Sequence, residues 1–176
     1  GGKYSVEGTL DDGSKVQANI EVIMINYVTN PSFEDADTSM WKVTYAGDTN
    51  PTDFQVKADD AHSGEVAFHF WSGDTDMAFS IEQTITDLKA GTYQLSAYAQ
   101  GGDVADDADM ELYAAVNGKE VEPASFVLTT WADWKLPTIN DIKIADGDTL
   151  TIGVRMKCNA GAWGTVDDFT LNRISD

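Results

Sequence analysis

The residues best suited to chemistry in this chain are carboxylates. Asp167 and Asp168 stand side by side in Trp163-Gly164-Thr165-Val166-Asp167-Asp168-Phe169-Thr170-Leu171, where a strand pattern would otherwise run apolar. An unpaired charge on a buried strand is expensive, so such acids coordinate a cation or accept several hydrogen bonds. Far upstream, Asn30-Pro31-Ser32-Phe33-Glu34 joins another acid to an apolar anchor. The two segments are expected to meet and close one domain around a metal. Nucleophilic chemistry has little to work with: His62 and His69 are the only histidines, and Cys158 lies on an apolar strand pattern and reads as a buried thiol. Zinc-ligand spacings and phosphate loops are absent. A glycosidase needs two carboxylates about 5–10 Å apart across a cleft. Glu111, Asp106, Asp107, Asp109 and Asp133 are the candidates, of a kind that an acid-rich chain offers by chance. Glu111 stays open because it falls on an outward face, and Asp103–Asp109 reads as an acidic loop.

The composition narrows the partners. Thirty acidic against 11 basic residues give a net charge of −19 over 176 residues, which disfavours nucleic acid. No run approaches the length of a membrane span, and no secretory leader pattern is present. A hydrophobic share of 42%, with seven Phe, six Tyr and five Trp, indicates a packed body. With one cysteine there is no disulfide framework. An acidic chain of this kind suits a secreted or cell-surface, extracellular protein, or a calcium binder.

The elements that must position these residues are strands. Residues 1–26 read as a hairpin, Lys3 to Leu10 and Lys15 to Ile25 around Asp11-Asp12-Gly13-Ser14. A lone hairpin is marginal in water, so it must belong to a preceding module or pack on the rest of the chain. Its pattern looks like the last strands of a bacterial immunoglobulin-like repeat. Residues 27–176 form the main domain. Alternating runs are Trp41–Tyr45, Glu65–Trp71, Met77–Thr84, Thr92–Gln100, Met110–Asn117, Ser125–Thr129, Asn140–Ile144, Thr149–Cys158 and Thr165–Ile174, with Gly and Asp turns between them. The expected fold is all-β, a β-sandwich jelly roll of two antiparallel sheets.

Period-two alternation sorts side chains by face. Tyr93, Leu95, Ala97 and Ala99 go in, as do Leu150, Ile152, Val154, Met156 and Cys158; Trp41 also reads as core. The outward set is Trp71, Tyr98, Tyr113, Gln100, Asn117, Arg155, Lys157 and His69. Flat apolar rings beside fixed donors and acceptors match a sugar, which offers a C–H face and a rim of hydroxyls. Cross-strand tyrosines on a solvated face give the same pattern. Trp131 and Trp134 form a second cluster in a loop, where exposed Trp marks an interface unless one tucks under the sheet edge.

Several motifs occur in order: Asn30-Pro31-Ser32-Phe33-Glu34 with Trp41, Ser63-Gly64-x-x-Ala67-x-His69-Phe70-Trp71, Gly91-Thr92-Tyr93, Gln100-Gly101-Gly102, Trp131-x-x-Trp134 and Trp163-Gly164-Thr165-Val166-Asp167-Asp168-Phe169. Together they resemble carbohydrate-binding module family 61, over about residues 28 to 174. The resemblance implies a non-catalytic jelly roll that binds β-1,4-galactan, the pectic side chain, and a partner that is a β-1,4-galacto-oligosaccharide or polysaccharide. It further implies a monomeric module inside a multidomain enzyme, a family 53 endo-β-1,4-galactanase, which it holds on its polysaccharide. A structural Ca²⁺ is implied too, with Glu34 and Asp167 or Asp168 as side-chain ligands and backbone carbonyls from about Ser32 and from the Asp59–Ser63 loop, including Asp60 and Ser63. Alternation puts Asp167 on the Phe169 side and favours it over Asp168. The sugar-contacting set rests on the face reading: Trp71, Tyr98, Gln100, Tyr113, Arg155, His69 and Asn117 with Trp131 and Trp134. A structural or adhesion sandwich, or a jelly roll for xylan, β-glucan or arabinan, is the competing expectation.

Overall fold

The alternating segments pair into three antiparallel sheets in the computed structural model, which describes residues 2–175. β1 (Gly2–Thr9) and β2 (Lys15–Val22) form the expected hairpin as a sheet of their own. Its Tyr4, Val6 and Val16 side chains are exposed. The main body holds β3 (Lys42–Ala46), β4 (Thr52–Val56), β5 (Val66–Trp71), β6 (Met77–Ile85), β7 (Gly91–Gly102), β8 (Asp109–Val116), β9 (Lys119–Glu120), β10 (Ala124–Ser125), β11 (Thr138–Ile144), β12 (Leu150–Cys158) and β13 (Trp163–Ser175). One sheet runs β10-β8-β12-β6-β3 with β9 beside β8, and the other runs β11-β7-β13-β5-β4. No helix occurs among the described residues.

Two sheets with one apolar face each must stack those faces together. The side chains expected inside do so: Tyr93, Leu95, Ala97, Ala99, Leu150, Ile152, Val154, Met156 and Cys158 all belong to one buried core. Burial pushes the Cys158 thiol up to about 11, so it stays protonated at neutral pH. Trp41 is core as expected, 4.8 Å from Phe169 between ring centroids and 5.2 Å from Phe33. Two details differ from the expected strands. Of the expected Ser125–Thr129 strand only Ser125 joins a ladder, together with Ala124 before it, while Thr52–Val56 adds an edge strand along β5.

The Asn30–Glu34 motif is a loop, not a strand. Asn30 and Phe33 take left-handed backbone angles, φ 48° and 61°. The Asn30 side chain holds that turn, accepting from the Asp35 N–H and donating to the Asp35 and Asp37 carbonyls. Phe33 thereby drops into the core, and the next residue, Glu34, points the other way. β13 is bulged between Asp167 and Thr170, and it leaves β5 after Val166. The ladder groups freed there are taken over by the start of the domain. The Phe169 N–H donates to the Pro31 carbonyl, the Leu171 N–H to Asn26 Oδ1, and Asn26 Nδ2 to the Phe169 carbonyl. The meeting of the two acid-bearing segments is therefore a strand repair as well as a contact between acids.

On the outer face of the β8–β12–β6 sheet, Tyr113 lies across Gly153. A Cβ at Gly153 would sit 3.0 Å from the ring and 2.3 Å from the Ile81 carbonyl. Gly153→Ala is therefore expected to destabilise the domain by about 2–3 kcal/mol through overpacking, measured as a lower denaturant midpoint at unchanged slope.

Candidate functional site

Along the outward row of β13 lie Trp163, Thr165 and Asp167, and this row organises the face. Trp163 is the direct cross-strand partner of Trp71 and of Gly102, Thr165 of His69 and Gln100, and Asp167 of Tyr98. Asp167 shares this face with Thr165 by plain alternation, and the bulge that follows turns Phe169 and Leu171 to the core side with Val166. The expectation that Asp167 lies on the Phe169 side is corrected: simple alternation stops at the bulge.

A loop over residues 57–66 covers the Asp167 end of the row. Asp167 is fully buried, and its Oδ2 accepts the His62 N–H at 2.8 Å and the Ser63 N–H at 3.1 Å. Oδ1 accepts the Asp168 N–H at 2.7 Å. Asp168 binds the same loop by side chain, to His62 Nδ1 at 2.6 Å and from Ser63 Oγ at 2.7 Å. Glu34 clamps the loop's far end, Oε1 accepting the Glu65 and Val66 N–H groups at 2.8 and 2.7 Å. Gly64 is required between them: its φ is 65°, and a Cβ would stand 2.3 Å from Glu34 Oε1. Burial pushes Asp167 up to about 7; the Asp168 charge adds to this, and the backbone N–H bonds pull back.

Among the described residues, no three His, Cys, Asp or Glu side chains are grouped to hold a metal. A calcium site built from two carboxylates and backbone carbonyls needs no such group. Asp167 is a buried carboxylate with only N–H partners, and Glu34 Oε2 is left over from its clamp, so the donor chemistry fits. The Asp60 carbonyl does not fit its expected part as a ligand, because it already accepts Gln100 Nε2 at 3.1 Å and Thr165 Oγ1 at 2.8 Å.

The Trp163 end of the row is open and aromatic. Trp71 is 57% exposed and Trp131 is 54% exposed. Trp163 beside Trp71 is half-buried and donates Nε1–H to Asp103 Oδ2 at 2.9 Å. His69, two residues before Trp71 on the same strand, is oriented by Asp53 at 2.8 Å. Trp134 is half-buried, its ring edge-on to His62 at 5.0 Å between centroids.

Five of the expected sugar contacts have other engagements. Gln100 is 1% exposed, with Oε1 accepting the Ala132 N–H and Nε2 donating to Asp60, so it braces two loops and has no free group for a hydroxyl. The Tyr98 ring is covered by the stacked His62 imidazole at 3.5 Å. Tyr113, Arg155 and Asn117 belong to the opposite side of the molecule. Tyr113 donates its hydroxyl to Glu82 at 2.7 Å beneath the Arg155 guanidinium, 5.1 Å from the ring centroid. Arg155 is held by Glu111 and Glu120, beside a trough of about 360 Å³ that Tyr45 and Lys157 also line. Asn117 ties its own turn to Asp148 and Thr149. No single ligand surface spans both sheets' outer faces. The side chains of His62 and Asp60 have no part in the sequence reading, which gives Asp60 a backbone role only; the fold stacks the His62 ring on Tyr98 and brings the Asp60 carboxylate to the Trp131 indole.

The two-sheet sandwich, with Trp71 exposed at the end of one outer sheet face and Trp131 on the adjoining loop, has the build of a carbohydrate-binding module. Among solved structures the chain is similar to TmCBM61, solved in complex with β-1,4-galactotriose, with a TM-score of 0.75 and 31% identity over 85% of this chain and 99% of that one. The chain belongs to carbohydrate-binding module family 61. It also shares its fold with a family 16 carbohydrate-binding module (TM-score 0.56, 17% identity, 83% of this chain and 99% of that one). A further likeness is to a carbohydrate-binding module of the β-sandwich superfamily studied for promiscuous specificity (TM-score 0.59, 16% identity, 97% and 74%). No protein-family model and no curated protein matches the sequence.

Proposed function

We propose that this module binds β-1,4-linked galactan, without catalysing its cleavage, on the open end of the β7–β13–β5 face. The observation that carries the reading is the pair of more than half-exposed indoles, Trp71 and Trp131, beside the Asp53-oriented His69. Indole faces stack on the C–H face of a pyranose, and a fixed imidazole supplies a directional polar group for its rim. The galactotriose complex of the similar module supports galactose as the sugar unit. In this reading the module is a monomeric, extracellular part of a larger polysaccharide-degrading enzyme, a galactanase being the natural host, and it raises that enzyme's local concentration on its substrate. In the same reading the β1–β2 hairpin stands outside the binding module, as an immunoglobulin-like remnant or a linker.

A structural Ca²⁺ belongs to the same reading. Glu34 and Asp167 would hold it, with the Ser32 and Ser63 carbonyls, and its charge would offset the buried Asp167 carboxylate. Affinity electrophoresis against galactan, arabinan, xylan, β-glucan and arabinogalactan tests the sugar. Retardation by galactan alone is expected; retardation by xylan or glucan without galactan would overturn the assignment.

A further inference from the structure

Trp131 sits on a loop, yet a closed ring of hydrogen bonds holds it. Its Nε1–H donates to Asp60 Oδ1 at 3.2 Å, and the neighbouring Ala132 N–H donates to Gln100 Oε1 at 2.5 Å. Gln100 Nε2 then donates to the Asp60 carbonyl at 3.1 Å, which closes the ring. Ala132 is in the left-handed region, φ 59°, a conformation that a non-glycine residue keeps only when its surroundings enforce it. Asp60 enters this ring twice, its carbonyl accepting from Gln100 on β7 and its carboxylate from the Trp131 indole on the facing loop. Its second oxygen, Oδ2, pairs with Lys57 at 2.6 Å. An exposed indole without such a tether samples several rotamers, and a ligand that stacks on it must freeze one of them.

We infer that Asp60 is the positioning residue of the saccharide site: its carboxylate fixes the plane of Trp131 before the sugar arrives, without touching the sugar. This rests on the proposed binding face and goes beyond it, since it assigns a residue that acts on the ligand through another side chain. The loop itself remains anchored when the carboxylate is removed, because the carbonyl of residue 60 and the Glu34, Asp167 and Asp168 clamps are unaffected.

The test is calorimetry of galacto-oligosaccharide binding by the full chain and by Asp60→Ala, Asp60→Asn, Trp131→Ala and Asp60→Ala/Trp131→Ala, with melting temperature and indole emission recorded for each. Freezing one such side chain corresponds to roughly 2- to 12-fold in Kd. Asp60→Ala is expected to weaken binding by that factor and to alter indole emission while the melting temperature stays close to wild type. Asp60→Asn, which keeps an acceptor for the indole N–H, restores the affinity. The double variant binds no more weakly than Trp131→Ala alone. Wild-type affinity in Asp60→Ala, or additive losses in the double variant, would overturn the inference while leaving the binding face intact. Wild-type affinity in Trp131→Ala would instead remove Trp131 from the binding face, and the inference with it.

Discussion

Asp167→Ala is expected to lower the unfolding free energy by about 3–5 kcal/mol, the largest stability effect of any single side chain outside the core. The carboxylate accepts three backbone N–H groups, from His62, Ser63 and Asp168, in a fully buried position. Each buried donor left unsatisfied costs about 1–3 kcal/mol, reduced here where the freed loop reaches water. Against a domain stability of about 5–15 kcal/mol this is a large share.

The same residue gives the pH dependence a definite sign. Its folded pKa, raised to about 7 by burial, exceeds the ordinary 3.8, so the folded state binds the proton more tightly than the unfolded chain. The associated stability is full below about pH 4 and is lost as pH rises towards about 7, by up to about 4 kcal/mol in the metal-free protein. Calcium would replace the proton as the partner of the anion and return stability at neutral pH, as RT ln(1 + [L]/Kd). Glu82, held below its usual range by Lys42 and then by Tyr113, and Glu120, held low by Arg155, slope the opposite way and only at acid pH. Melting temperatures from pH 4 to 8, with chelator and with calcium, separate these effects. A chelated protein equally stable at pH 4 and 7 would refute the assignment to Asp167. A neutral-pH melting temperature indifferent to calcium would remove the cation from the proposal.

Trp71→Ala and Trp131→Ala are each expected to weaken galactan binding by at least about 30-fold, roughly 2 kcal/mol, the usual cost of truncating an aromatic hot spot. Together they should abolish measurable binding. Because both rings are more than half exposed, their loss removes little core area, and the melting temperature should move little. That pairing of a large affinity loss with a small stability change is what distinguishes a ligand platform from packing. Calorimetry on galacto-oligosaccharides with parallel melting curves measures both. Unchanged affinity in both single variants would move the site elsewhere on the molecule.

Part of the site is legible in the sequence alone. The alternation along Thr92–Gln100 places Tyr93 and Leu95 inside and Tyr98 and Gln100 outside, and the strand obeys it, because period two is a local property of an extended backbone. The acids of Asn30–Glu34 and Trp163–Leu171 do converge, and on the same loop. What alternation conveys is which side of its own strand a residue occupies. It does not convey which sheet that strand joins, so Tyr113 and Arg155 on β8 and β12 read the same as Trp71 on β5, although the sheet order puts them on opposite outer faces. Nor does it convey what lies on top. Gln100 points outward as expected and is still buried, because residues 57–66 and 129–135 close over it.

The sequence by itself determined the two-layer all-β fold, the buried apolar rows, the acid pair and the aromatic supply, since these follow from local alternation and from the cost of burying charge. Only the tertiary structure decided that Asp167 turns away from Phe169, that Tyr98 lies under His62, and that Trp71 and Trp131 remain exposed. Those outcomes depend on one bulge and on loops that arrive from 30 to more than 100 residues away, and non-local pairing of that kind leaves no periodic trace in the chain.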